Sequence, residues 1–204
     1  MFYMRNLEVI AAFSAFAIPI ALLSLAFPYA VLYLRDSRSE DHDPEIGLKA
    51  ALYFVFSLSI LLVLSGLTVI IISLLMESES FGPSRSLSAY SQDLRIGFAM
   101  MVSGFAIGLF HFVIILGFTN DRRFPAARRV FVGWRLAVHS VVVLIAFTWL
   151  VIQVFQERVS WEELKPMFGI LLVWGPSWLI HLLLMRFYGG TASLPRIRRP
   201  TLED

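Results

Sequence analysis

Three histidines fall within long apolar stretches of the sequence. His111 lies nine residues before Asn120, His139 lies ten residues after Arg129, and His181 lies a few residues before the end of the last apolar run. At about 1.5 Å of rise per helical residue, all three sit roughly 10–15 Å from one interface. Ionisable groups at that depth usually face a bundle interior or a water-filled cavity. Three imidazoles in one layer could ligate a metal ion or supply axial ligands to a haem.

A packing role is the simpler interpretation of these histidines, because a buried imidazole commonly hydrogen-bonds to a nearby carbonyl or hydroxyl. The sequence contains no HExxH, haem-attachment or paired-carboxylate helix motif that would supply further ligands. We therefore expect no cofactor. A site for haem b or a metal ion on His111, His139 and His181 is kept as the alternative.

Glycine spacing predicts where one of these helices packs tightly. Gly97, Gly104 and His111 are one heptad apart, and Gly104 and Gly108 form a small-xxx-small motif. Such motifs let two helix backbones approach closely within a membrane. We predict that Gly97, Gly104 and Gly108 line a helix–helix seam and that His111 faces it.

Two further faces carry polar or aromatic side chains. Arg135 and His139 share one face of their apolar run, and Trp174, Trp178 and His181 share a face of the last one. Proline removes a helical hydrogen bond, so the adjacent Gly175 and Pro176 predict a kink or break there. Such a break would be the best pointer to a gate or a ligand pocket.

Composition places these residues in a membrane protein. The 204 residues are 58% hydrophobic and 16% charged, whereas soluble domains are about 25% charged. Five apolar runs are long enough to cross a bilayer, and each must be helical to satisfy its own backbone. The sequence thus predicts an all-α, polytopic bundle over residues 1–190 with spans at about 7–34, 49–76, 94–118, 130–155 and 166–188.

Charge and cysteine usage narrow the class further. The net charge of +2 comes mostly from arginines between apolar runs, which argues for membrane orientation rather than for a nucleic-acid partner. The sequence has no cysteine, which excludes disulfides, thiolate catalysis and iron–sulfur clusters. The first run is too long for a signal peptide, so we expect it to be retained.

Basic residues are distributed unequally between the two sides of the five spans. Twelve, Lys49 and Arg135 among them, fall on the side of the first and third loops (35–48 and 119–129) and the C-terminal tail, and five fall on the other side. By the positive-inside rule this predicts an inner (cytoplasmic) membrane protein with its N-terminus outside and its C-terminus in the cytoplasm. We expect the basic tail, residues 191–204, to be disordered.

The stretch from Gly104 to Trp134 resembles a bacterial multi-pass membrane domain family of unknown function. The resemblance is carried by the run Gly108-Leu109-Phe110-His111-Phe112, by the following arginine-rich loop, and by an aromatic start to the next span, Phe131 to Trp134. The family pattern favours tryptophan where this chain has Phe110 and Phe112. The resemblance implies no mechanism, but it singles out His111.

These observations favour a small, non-enzymatic subunit or scaffold of a larger membrane complex. Membrane lipid and other membrane subunits, or a second copy of the chain, are the expected partners. A haem- or metal-binding redox protein is one alternative, and a small transporter or channel is another.

Overall fold

The computed structural model describes residues 26–38, 42–77, 87–121, 124–155 and 160–190. Across these ranges the protein is helical and contains no strand, which confirms the predicted all-α class. The helices are α1 (26–36), α2 (Ile46–Glu77), α3 (Leu87–Phe118), α4 (Ala126–Val154) and α5 (Trp161–Gly190).

Four of these helices are long and apolar enough to cross a bilayer, which supports a multi-pass membrane protein. Each of them matches a predicted span, although α3 and α5 begin several residues earlier than predicted. The first predicted span, 7–34, lies outside the described residues except for its last part, which forms most of α1. The predicted tail, 191–204, also lies outside them.

Helix α2 is the centre of the described bundle. It packs along α3 on one side and contacts α4 and α5 on the other, and α4 packs against α5. No residue of α3 comes within 8 Å of α4 or α5, measured between Cα atoms in the described helices. The backbone of α3 therefore lies along α2 and away from the α4–α5 interface.

The α2–α3 seam depends on glycines, which have no side chain to hold the two helix backbones apart. A Cβ built on Gly104 would lie 2.8 Å from the carbonyl oxygen of Ser59, and one on Gly66 would lie 2.5 Å from that of Gly97. A Cβ on Gly108 would lie 2.6 Å from the Ser59 hydroxyl oxygen. The pairs run in opposite directions along the two helices, so α2 and α3 are antiparallel with nearly touching backbones. The three predicted glycines thus lie in a close helix–helix contact.

The start of α2 is fixed by a buried ion pair. Asp43 accepts a hydrogen bond from the backbone N–H of Glu45 at 3.1 Å, which satisfies one of the free donors of the first turn. Its other carboxylate oxygen lies 2.8 Å from the ammonium of Lys49, which is fully buried. Lys49 also donates to the carbonyl oxygen of Phe124, at 3.2 Å. This pair therefore ties α2 to the segment that leads into α4.

Candidate functional site

Three side chains at intervals of four residues line the face of α2 that meets α4. The first, Lys49, forms the ion pair at the helix start, and the second, Tyr53, stacks on Phe131 with ring centroids 6.0 Å apart. The third, Ser57, is fully buried and donates to the Tyr53 carbonyl oxygen at 2.7 Å. The lone pairs of the Ser57 hydroxyl remain available to a donor from α4.

That donor is Arg135. Its Nη1 lies 3.3 Å from Ser57 Oγ, and its guanidinium carbon lies 5.3 Å from the centre of the Phe56 ring. The side chain is only 4% exposed, and its Nε–H has no hydrogen-bond partner. In the parts of the chain that the structure describes, no carboxylate pairs with it. Arg135 is therefore a buried cation held by a hydroxyl and an aromatic face.

His139 and His181 meet one turn further along. Their ring centroids are 4.5 Å apart, and they are 0% and 6% exposed. Each Nδ1 lies close to a carbonyl oxygen of its own helix, at 2.6 Å from Arg135 for His139 and 2.8 Å from Ser177 for His181. A carbonyl only accepts, so each Nδ1 must carry the proton, and each neutral ring then has its lone pair on Nε2. The Nε2 of His139 is buried without a partner.

Two tryptophans of α5 hold this region against its neighbours. The Trp174 ring lies 5.2 Å from the His139 ring, and its indole N–H donates to the hydroxyl of Thr68 on α2 at 2.9 Å. The indole N–H of Trp178 donates to the hydroxyl of Ser140 on α4 at 2.8 Å. These bonds fix α5 against both partner helices. We call Ser57, Arg135, His139 and His181 the polar cluster.

The structure brings together two of the three predicted histidines and leaves the third apart. His111 lies on α3, which packs along α2 and has no residue within 8 Å, between Cα atoms, of α4 or α5 in the described helices. Its Nδ1 bonds to the Ile107 carbonyl oxygen at 2.8 Å, and this bond is exposed. The three imidazoles therefore do not form one layer of adjacent rings, because α3 lies beside α2 and away from α4 and α5. That His111 faces the glycine seam stays a prediction.

The polar cluster does not fit the two cofactors considered for the histidines. An iron between two imidazoles would separate their ring centroids by about 6 Å, since each metal–nitrogen bond is about 2 Å, whereas His139 and His181 are 4.5 Å apart. Among the described residues no group of three His, Cys, Asp or Glu could hold a metal ion. The nearby Arg135 cation also disfavours a second positive charge.

Helix α5 continues without interruption through Gly175 and Pro176. The helix does not end at these two residues, and a kink there stays a prediction. Proline costs one backbone hydrogen bond, and membrane helices tolerate this loss where neighbouring helices satisfy the freed group. Trp174 and Trp178, which flank the two residues, serve instead to attach α5 to α2 and α4.

By its charge and position in the sequence, Arg135 counts among the residues that orient the protein, and no sequence pattern identifies Ser57 as its partner. One signal was available, because Arg135 and His139 are four residues apart and so share a helix face. Arg135 is also nine residues beyond the start of α4, or about 13 Å along the axis. That depth distinguishes it from the arginines of the preceding loop.

Comparisons of this chain with protein-family models, with curated proteins and with solved structures found no match. The resemblance to the membrane family of unknown function therefore stays a prediction. The chemistry of the polar cluster must be judged from its own geometry.

Proposed function

We propose that this multi-pass membrane protein binds an anionic ligand within its helix bundle, with Arg135 as the residue that holds the negative charge. One observation carries the proposal: Arg135 is buried, its Nε–H has no partner, and no carboxylate among the described residues neutralises it. Ionisable residues at membrane depth are functional by default and mark substrate paths or counter-ions. An anion is the partner that the guanidinium lacks.

The energetics support this inference. Burying an ion costs several kcal/mol even after local relaxation. A face-on aromatic ring returns about 0.5–2 kcal/mol, and one hydrogen bond to a charged group returns about 1.5–3 kcal/mol. The bond from Arg135 to Ser57 is long, at 3.3 Å, and is made by one of the five N–H donors. These two contacts return about as much as the burial costs, so the charge-assisted hydrogen bonds of an anion with two oxygens would be a further gain.

The prediction of a subunit or scaffold stays a prediction. The glycine seam that motivated it is filled by α2 of the same chain, so it provides no evidence for a second polypeptide. The spacing of the His139 and His181 rings disfavours the haem form of the redox alternative. Of the three sequence-based interpretations, a small transporter or channel agrees best with a buried cation that has no carboxylate partner among the described residues.

Ligand-induced stabilisation tests the proposal. The protein in an uncharged detergent would be unfolded thermally with rising propane-1-sulfonate or butyrate, which present an anion from water, and with oleate, which presents a carboxylate from the micelle. A bound ligand raises the free energy of unfolding by about 2.7 kcal/mol at 100 times its dissociation constant. A stability shift with propane-1-sulfonate or butyrate would indicate an anion from water, and a shift with oleate would indicate one from the lipid phase.

The matched variants are Arg135→Gln and Arg129→Gln. Both remove one positive charge from α4, but Arg129 lies outside the polar cluster and is only partly buried. We expect Arg129→Gln to retain the ligand-induced shift and Arg135→Gln to lose it. We also expect the ligand-free Arg135→Gln protein to be no less stable than the wild type, since a costly buried charge is gone. A shift that persists in Arg135→Gln would refute the proposal.

A further inference from the structure

We propose that the anion binds together with one proton, which is taken up from water by Nε2 of His139, so that the ligand is received as the equivalent of an acid. This inference rests on the proposed anion site at Arg135. In the described structure, Nε2 of His139 is the one buried imidazole nitrogen without a hydrogen-bond partner, and proton uptake would give it a role. The bond that forms is Nε2–H, and the bound anion then interacts with two cations, the Arg135 guanidinium and the His139 imidazolium.

The tautomer of His139 prepares it for this role. Its Nδ1–H is committed to the carbonyl oxygen of Arg135 at 2.6 Å, which leaves Nε2 as a pure acceptor. The same bond fixes the imidazole to the residue that holds the anion, one helical turn away on the same face. A proton on Nε2 would convert the buried acceptor into a donor, and an anion oxygen is the natural acceptor for it.

The surrounding charges couple the binding of the anion to the protonation of His139. The charged and titratable groups that face His139 are Arg135 on its own helix and His181 on α5. From α2, the neutral hydroxyls of Ser57 and Thr68 bond to Arg135 and to Trp174, the two neighbours of His139. With the site empty, the Arg135 cation opposes a second positive charge on His139. A bound anion removes that opposition, and by linkage the proton then strengthens the binding of the anion.

The histidine pair accepts only one proton. The rings of His139 and His181 are 4.5 Å apart, and two imidazolium charges at that distance would repel strongly in a low-dielectric interior. His181 therefore stays neutral beside the charged ring. Its Nδ1–H remains on the Ser177 carbonyl oxygen and its ring supports the His139 ring by stacking.

The pH dependence of ligand binding measures directly how many protons are taken up with the anion. Propane-1-sulfonate is the probe, because a sulfonate does not titrate between pH 6 and 8 and any proton uptake belongs to the protein. If one proton is taken up with the probe, the dissociation constant rises tenfold for each unit by which the pH is raised. We expect this slope in the wild type and in His111→Asn, a control on α3. We expect His139→Asn to bind the probe with no pH dependence.

Imidazole ¹⁵N spectra of the wild type provide a second measurement that needs no variant to fold. The ligand-free spectrum should show His139 as the neutral Nδ1–H tautomer, and the bound spectrum should show both of its ring nitrogens protonated. Sulfonate binding that depends on Arg135 but has no pH slope would overturn the proton proposal and leave the anion site standing. A slope lost in His181→Asn but kept in His139→Asn would overturn the assignment. Absence of Arg135-dependent binding would overturn the anion site itself.

Discussion

Alanine substitutions in the α2–α3 seam separate a backbone contact from a side-chain contact. A Cβ on Gly104 would lie 2.8 Å from the Ser59 carbonyl oxygen, and ordinary contact begins at 3.4 Å, so the helices must part by about 0.6 Å. Overpacking of this kind costs about 1–3 kcal/mol. A Cβ on Gly108 meets the Ser59 hydroxyl at 2.6 Å but the Ser59 Cβ only at 3.4 Å. Gly108→Ala therefore requires the hydroxyl to move and give up its bond to the Phe56 carbonyl, at about 1 kcal/mol.

The two contacts predict different double-mutant cycles. Ser59→Ala removes the hydroxyl that obstructs Gly108→Ala, so the double variant should cost little more than Ser59→Ala alone. The same background should not relieve Gly104→Ala, whose obstacle is backbone. Gly117→Ala is the control, since nothing lies within 4 Å of its added methyl group. The free energy of unfolding would be measured by titrating the protein in mixed micelles with an anionic detergent and following the near-ultraviolet dichroism. The packing would be refuted if Ser59→Ala relieved Gly104→Ala and Gly108→Ala equally. It would also be refuted if these two variants lost no more unfolding free energy than Gly117→Ala.

Three further predictions concern the rest of the bundle. Lys49→Met should cost about 3–5 kcal/mol of unfolding free energy because it leaves Asp43 buried and unpaired, and adding Asp43→Asn should recover much of it; an additive double variant would contradict the ion pair. Trp174→Phe should cost about 1 kcal/mol through the lost bond to Thr68, and an unchanged stability would argue against that contact. Because the chain has no cysteine, Arg129→Cys can report orientation: an impermeant maleimide should label it only from the cytoplasmic side, and labelling from outside would reverse the topology.

The spans could be predicted from the sequence because the bilayer fixes how many apolar residues a helix needs. Partners within the bundle could be predicted only in part. The heptad of Gly97 and Gly104 indicated a tight seam, and a matching heptad on α2, formed by Ser59, Gly66 and Ser73, could have identified its other side. Two small-residue stripes with the same period are expected to pack against each other.

The polar cluster could be predicted only in part, because the depth of a residue in the membrane does not determine which helix lies beside it. Equal depth suggested one layer of three histidines, but α3 is separated from α4 and α5 by α2, so His111 is apart from His139 and His181. By the positive-inside rule Lys49 counts among the basic residues that set orientation, although it is fully buried against Asp43. Whether a basic residue faces water or a partner depends on which helix lies beside it.

The anion site at Arg135 is tested most directly by native mass spectrometry of the protein released from an uncharged detergent, in the wild type, Arg135→Gln and Arg129→Gln. We predict that the wild type and Arg129→Gln bind an anionic molecule in a one-to-one ratio, whose mass shows whether it is a lipid or a small acid. We predict that Arg135→Gln binds none. The same bound species on all three proteins, or no anion on the wild type even with added propane-1-sulfonate, butyrate or oleate, would contradict an anion-binding role for Arg135.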